Sequence, residues 1–129
     1  MESSFFIETE NKVQGIKTRL EELHWSSPSI SVHKLVDEFQ GDLGEFNDAM
    51  IEYVIPFFGF IKPGELNPVL PDETEFEEIL ENIRGLLIGI KKECGDQLKF
   101  SGLISLVDDF FLTVNKTIYL VKLAKGQAK

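Results

Sequence analysis

The sequence has little of several features that define large functional classes. A single cysteine, Cys94, cannot form a disulfide within the chain. No stretch approaches the roughly 18 uninterrupted apolar residues of a membrane span. The opening residues MESSFFIETE lack the basic flank and the apolar run of a secretory signal. Together these absences predict a soluble, cytoplasmic protein that does not associate with membranes.

Basic residues are also scarce, because 13 lysines and arginines stand against 22 aspartates and glutamates. The formal net charge of −9 repels a phosphate backbone, so nonspecific binding of nucleic acid is not expected. Glycine-rich phosphate loops and nucleophile elbows are missing as well. The sequence therefore offers no motif for nucleotide binding or for serine hydrolase chemistry.

The hydrophobic pattern, in contrast, is strong and predicts an all-α fold. A chain of 129 residues with 43% hydrophobic residues supports one core, so we expect residues 1–129 to form a single domain. Apolar side chains recur at steps of three and four, the helical period, over four segments. The first helix covers residues 5–23, and its pattern directs Glu10, Lys17 and Glu21 away from the core. It ends in a turn at residues 26–29.

The second helix begins at a cap on Ser29 or Ser31 and is kinked or ended by Pro56. Residues 59–72 follow as the one long connection. Three prolines and two glycines in this segment prevent it from sustaining a helix.

The third helix begins at a cap on Asp72 or Thr74 and ends at Gly95. The fourth begins at residues 97–101 and frays over residues 125–129. Short, long and short connections predict an antiparallel four-helix bundle. We expect the eleven phenylalanines to fill its core.

Candidate metal ligands lie along the second helix. His33 is followed by Asp37 four residues later, by Asp48 eleven residues after that, and by Glu52 four residues further on. At about 100° per residue these four side chains share one arc of about 100°. The apolar residues of the same helix occupy the arc from about 200° to 300°. The core side and the ligand-bearing side are therefore opposite faces of one helix.

One helix cannot bring all four residues to one metal ion, because Asp37 and Asp48 are about 16 Å apart along the axis. The helix instead carries two half-sites, His33 with Asp37 and Asp48 with Glu52. A second copy, antiparallel across a two-fold axis, sets each half-site against the other. Two identical sites result from this arrangement.

Gly41 and Gly44 lie on the same face of the helix. Interior glycine costs a helix up to about 1 kcal/mol relative to alanine, and close approach of a second helix is a reason to keep it. We therefore expect a homo-oligomer, a two-fold dimer at least. Imidazole and carboxylate ligands suit iron, with manganese or zinc as substitutes. The competing interpretation is a solvated helix face, since a histidine and an acid at this spacing often occur by chance.

The run LHWSSPSISVHKLVDEF and the later DAMIE resemble the ferroxidase signature of the Dps-like mini-ferritins, the DNA-protection-during-starvation family of ferritin-like bundles. They are similar also to the small ferritin-like proteins of phage genomes. The resemblance implies iron ligands from two subunits: His24, His33 and Asp37 of one chain, with Asp48 and Glu52 of its two-fold mate. It further implies that Glu52 bridges the iron ions and that Trp25 lies close to the site.

In that family the site oxidises ferrous iron, preferably with hydrogen peroxide, and a hollow shell stores the ferric product. The resemblance thus implies iron storage and protection against oxidative stress. The residues alone leave a second function open, a non-catalytic structural or interaction bundle, such as a virion or scaffold component, that keeps the dimer face. A third possibility, a partner-regulating helical module without metal, rests only on the acidic surface and predicts a monomer.

Overall fold

The computed structural model describes residues 1–126, which form four α-helices and one short 3₁₀ turn. No strand occurs in these residues. The helices are α1 (Ser3–Ser26), α2 (Ile30–Phe58), α3 (Phe76–Cys94) and α4 (Ser101–Ala124), and the 3₁₀ turn covers Leu98–Phe100. The prediction of an all-helical chain with four helices is confirmed. The expected fraying lies partly in residues 127–129, outside the described part of the chain.

The four helices pack against one another around one apolar cluster. α2 contacts both α1 and α4, and α3 contacts α4 and, less extensively, α1. Each helix contributes buried apolar side chains, with Leu20, Val54, Leu80 and Val114 among those fully enclosed. Burial of this cluster is the main stabilising contribution, since apolar area removed from water contributes about 25 cal/mol per Å². Within the described residues, no helix is both long and apolar enough to cross a membrane.

The predicted helix ends are mostly confirmed. The Ser29 side chain caps α2 by accepting a hydrogen bond from the Val32 N–H at 3.4 Å. Pro56 lies in the last turn of α2, the helix ends two residues later at Phe58, and the C-cap Gly59 has a φ of +83°. Gly95, with φ of +55°, ends α3 in the left-handed region that glycine adopts most readily.

The predicted cap of α3 on Asp72 or Thr74 is wrong. The N-cap is Glu75, whose side chain makes no capping hydrogen bond to any described residue. The chain stays extended up to Glu75 because its preceding residues are held elsewhere. The Glu73 carboxylate accepts a hydrogen bond from the Asn82 side chain at 2.8 Å, so the segment lies against α3 before the helix begins.

Residues 59–75 form the long connection and lie along α1. The Asn11 carbonyl accepts from the Val69 N–H at 2.9 Å, and its side-chain oxygen accepts from the Asn67 N–H at 2.8 Å. Further along, the Arg19 guanidinium donates to the Pro71 carbonyl at 2.8 Å. A Cβ on Gly15 would lie 1.8 Å from the Val69 carbonyl oxygen, so only glycine permits this approach.

Two expectations about side-chain burial are wrong. Glu10 was expected to face away from the core, yet it is fully buried among apolar neighbours on α1. The reason is angular, since Glu10 lies about 40° around the helix from the buried Phe6. Not all phenylalanines fill the core either, because Phe57 and Phe60 are 42% and 79% exposed at the end of α2.

Candidate functional site

The turn between α1 and α2 brings the two histidines together. His24 lies in the last turn of α1, and His33 lies in the first turn of α2, with only residues 27–29 between the helices. Their imidazole rings are stacked, with centroids 4.2 Å apart and planes inclined by 23°. Because the connection is so short, the last turn of one helix must lie beside the first turn of the next.

Hydrogen bonding fixes the orientation of the His33 ring. Its Nδ1 lies 3.0 Å from the backbone carbonyl oxygen of His24. A carbonyl only accepts, so the neutral ring carries its proton on Nδ1 and presents a lone pair on Nε2. Metal-binding histidines commonly donate their second nitrogen to a carbonyl in this way, which sets the tautomer and ring orientation.

Asp37 lies beside one member of the histidine pair. Its Oδ1 lies 3.8 Å from the Nε2 of His24, and its side chain is 69% exposed, against 26% for His24. The contact is too long for a hydrogen bond, so the carboxylate is near the imidazole without being held by it. Three of the five predicted ligands, His24, His33 and Asp37, therefore lie at the α1–α2 turn.

The other two predicted ligands lie further along α2. Asp48 and Glu52 are exposed, about 16 Å or more from Asp37 along α2 at 1.5 Å per residue. Among the described residues, no three His, Cys, Asp or Glu side chains converge closely enough to hold a metal ion. The two predicted half-sites thus lie apart along α2, and completion of each by a second copy stays a prediction.

The face of α2 between the two half-sites is open. A Cβ built on Gly41 or Gly44 meets no atom of another residue within 4 Å in the described chain. Ile51 and Ile55 on the same face are only partly buried. The intrachain packing therefore gives no reason for either glycine.

Trp25 and Ile30 flank the histidine pair and are 74% and 73% exposed. No family model, no curated protein and no solved structure matches the chain. What the α1–α2 turn can do is therefore argued from its own side chains.

A buried polar pair lies between α1 and α2, and the sequence interpretation missed it. The Asn47 side-chain amide donates to Oε2 of Glu10 at 3.1 Å, and both residues are almost fully enclosed. Glu10 Oε1 and Asn47 Oδ1 make no hydrogen bond within residues 1–126. The signal that could have found this pair is the helical angle of Glu10, which places it among the apolar positions.

Burial raises the pKa of Glu10 from 4.5 to about 7, because desolvation disfavours the carboxylate. The hydrogen bond from Asn47, the nearby Gln14 side chain and the charge of Lys17 oppose this rise only in part, and Asp48 adds to it. Near neutral pH, the core of the bundle thus contains a carboxyl group that is partly protonated.

Cys94 is buried at the end of α3, and burial raises the pKa of its thiol. A neutral, enclosed thiol is a poor nucleophile and a poor metal ligand. Cys94 is therefore a buried free thiol that packs as part of the core.

Proposed function

We propose that the protein is a ferritin-like iron-binding protein. In this proposal it oxidises ferrous iron with peroxide or dioxygen at the interface of a two-fold dimer, and its role is iron storage and protection from oxidative stress. The observation that carries the proposal is the cluster of His24, His33 and Asp37, in which the Nε2 lone pair of His33 is available. Iron is the substrate of this reaction.

The pattern of helix contacts supports an antiparallel, ferritin-like arrangement. In three helix pairs the start of one helix contacts the end of the other. The contacts that carry this order are Phe6 with Phe58, His24 with His33, Glu77 with Lys125, Lys91 with Asp108, and Tyr53 with Gly102. If α2 and α3 are both antiparallel to α4, they run in the same direction. The connection between them must then cover the length of the bundle.

The second copy supplies the missing carboxylates. An antiparallel α2 from a two-fold mate sets its Asp48 and Glu52 against His33 and Asp37, and the same contact repeats on the other side of the axis. The open surface over Gly41 and Gly44 supports close approach of that helix. Glu52 is the proposed bridging ligand on the strength of the resemblance to the Dps-like mini-ferritins.

The donor set fits ferrous and ferric iron, and manganese and zinc accept the same ligands. Each ferrous ion gives up one electron, so two ferrous ions and two protons reduce one peroxide molecule to two waters. Carboxylates favour the ferric product because they are hard, negatively charged ligands. The net charge of −9 raises the local concentration of cations around the protein.

We further propose that the protein acts in the cytoplasm.

Ferrous iron titration of the metal-free protein tests this function. We expect two sites per dimer and consumption of peroxide on iron addition. His33→Ala with Asp48→Ala removes one ligand from each half-site and should lower both affinity and oxidation rate at least about tenfold, as loss of metal ligands and their supports does. Anaerobic calorimetry measures the binding, and stopped-flow absorbance measures the oxidation.

Asp42→Ala is the matched control, because Asp42 is an exposed acid on the same helix, about 180° around from His33. This variant should bind and oxidise iron like the unsubstituted chain. Equal behaviour of the double variant and the Asp42 control would contradict the proposal.

A second candidate is a non-catalytic structural bundle that keeps the dimer face. It is supported by the intrachain role of His33, whose bond to the His24 carbonyl already ties α1 to α2 without any metal. Tight metal binding without peroxide consumption would favour this candidate over the first.

A further inference from the structure

The buried pair of Glu10 and Asn47 lies between α1 and α2, and the proposed iron chemistry does not use it. Neither side chain reaches solvent, since Glu10 is 0% and Asn47 is 1% exposed. Their one mutual hydrogen bond joins the Asn47 amide to Glu10 Oε2, while Glu10 Oε1 and Asn47 Oδ1 find no donor within residues 1–126. The interface of the two helices therefore encloses two acceptor oxygens that lack a partner.

The two protonation states of Glu10 tolerate this enclosure very differently. A neutral carboxyl group loses little hydration free energy on burial, and the Asn47 amide already satisfies one of its oxygens. A carboxylate loses far more, because a single amide does not replace the several donors that water supplies. Ionisation of Glu10 therefore favours any arrangement of α1 and α2 that lets water reach its carboxylate.

The charged surroundings of Glu10 give the carboxylate little relief. Lys17 on the same helix attracts it, and Asp48 on α2 repels it. The side chains that α3 and α4 bury are apolar apart from Cys94 and Thr117. The long connection, which binds the neighbouring Asn11, carries three carboxylates that are at least partly exposed: Glu65, Asp72 and Glu73. Solvent is consequently the best source of the missing donors.

An open groove of about 420 Å³ lies between α1 and α2, one helical turn from the pair. Gln14 and Gly44 are among its lining residues. Gln14 follows Glu10 by four positions and Gly44 precedes Asn47 by three, so each lies on the same side of its helix as its member of the pair. A Cβ on Gly44 would meet no atom within 4 Å in the described chain. A small separation of α1 from α2 therefore extends the groove to Glu10.

α1 is the helix that can separate while the other three stay packed. It contacts α2 and, less extensively, α3, whereas α4 packs extensively against both α2 and α3. Within residues 1–126 its N-cap, Glu2, makes no side-chain capping hydrogen bond. The hydrogen bonds of Asn11 tie α1 to the connection rather than to α2. The first half of α1, residues 3–14, is thus held on α2 mainly by its core side chains and by the Glu10–Asn47 hydrogen bond.

We propose that the Glu10–Asn47 pair is a pH switch that opens and closes the interface between α1 and α2. When Glu10 is neutral, residues 3–14 stay packed on α2. When Glu10 releases its proton to solvent, this segment separates from α2 and water enters from the groove to hydrate the carboxylate. The helices α2, α3 and α4 keep their mutual contacts in both states. No metal ion takes part, so the switch does not depend on the proposed iron chemistry.

Hydrogen–deuterium exchange of the full chain, with a chelator present, tests the switch. The closed form holds the Glu10 proton up to a pKa of about 7, and the open form releases it with the ordinary pKa of 4.5. We therefore expect the opening equilibrium of residues 3–14, corrected for intrinsic exchange rates, to rise about 70-fold between pH 5 and pH 8. Protection of α3 and α4 should change much less.

Two variants and a control assign this change to the pair. Glu10→Gln stays neutral and should open equally at both pH values. Glu10→Leu with Asn47→Leu leaves no unpartnered polar atom and should also be independent of pH. Glu21→Gln is the matched control, because Glu21 is an exposed acid on the same helix, and it should keep the full pH response.

Three results would overturn the proposal. One is an unchanged opening equilibrium of residues 3–14 between pH 5 and pH 8, and another is the same pH profile for Glu10→Gln and the unsubstituted chain. The third is an equal loss of protection in all four helices, because Glu10 would then affect only the unfolding of the whole chain.

Discussion

At the residue scale, Glu10 has the largest energetic consequence. Its carboxyl group is enclosed between α1 and α2 and has a pKa of about 7. Between pH 4.5 and about 7, the folded chain holds a proton that the unfolded chain has released. The free energy of unfolding therefore falls as pH rises through this window, by at most about 3 kcal/mol at 1.36 kcal/mol per pKa unit.

Glu10→Gln should remove this pH dependence. Glutamine stays neutral and can exchange two hydrogen bonds with the Asn47 amide, so no charge is buried at any pH. We expect the variant to exceed the unsubstituted chain in stability by about 1–3 kcal/mol at pH 8 and to match it within about 1 kcal/mol at pH 5. Guanidinium unfolding at both pH values measures the difference.

Glu21→Gln is the control for this experiment, because Glu21 is an exposed acid on the same helix. Its pH profile should follow that of the unsubstituted chain. Parallel profiles for Glu10→Gln and the unsubstituted chain would mean that the Glu10 carboxylate is stabilised in the core.

At the element scale, the long connection depends on α1 for its path. Asn11 holds its middle through backbone and side chain, and Arg19 holds its later part at Pro71. Gly15 lets the Val69 carbonyl approach the helix backbone. The connection is thus an ordered segment without regular secondary structure, positioned by a few polar contacts.

Gly15→Ala should separate the connection from α1. The new Cβ would lie 1.8 Å from a backbone oxygen, so one of the two segments must move and the hydrogen bonds at Asn11 are strained or lost. We expect a loss of about 1–3 kcal/mol in the free energy of unfolding. Faster proteolytic cleavage within residues 59–75 should accompany it.

Gly85→Ala is the matched control, since Gly85 is exposed in the middle of α3 and its Cβ meets nothing within 4 Å in the described chain. This variant should be stabilised by up to about 1 kcal/mol. Equal gains for both substitutions would show that the connection does not rest on α1.

The helices themselves were predictable from sequence, because the 3.6-residue period follows directly from burying one side of a helix. The path of the connection was not predictable. Nothing in the sequence around Asn11 and Gly15 indicates that residues 67–70, more than 50 positions away, pack against them. The start of α3 was placed one to three residues too early, because the chain stays non-helical up to the N-cap Glu75 and the Glu73 carboxylate lies against Asn82 before the helix begins. The histidine pair was predictable from the short turn between His24 and His33, whereas the ring stacking and the tautomer required coordinates.

At the scale of the whole molecule, the proposed two-fold contact uses the polar face of α2. Gly41 and Gly44 lie at the centre of this face, and within residues 1–126 no neighbour requires glycine at either position. The proposed dimer would give both glycines a role.

Gly41→Ala with Gly44→Ala should stabilise the single chain and weaken the dimer. Replacing two interior helix glycines contributes up to about 1 kcal/mol each, while the added methyl groups hold the second α2 further away. Unfolding experiments on dilute protein measure the first effect, and light scattering across a concentration series measures the second. If the variant gains stability and its association is unchanged, the two-fold contact lies elsewhere. Gly85→Ala is the control, because it should stabilise the chain without altering the α2 face.

Trp25, the one tryptophan of the chain, stands exposed directly after His24. Its indole emission consequently reports on the α1–α2 turn without any label. Ferric iron bound at the turn would quench this fluorescence, whereas a second copy that covered the ring would shift the emission to the blue by excluding water. A single spectrum, recorded as ligand or protein is added, therefore separates metal loading from assembly.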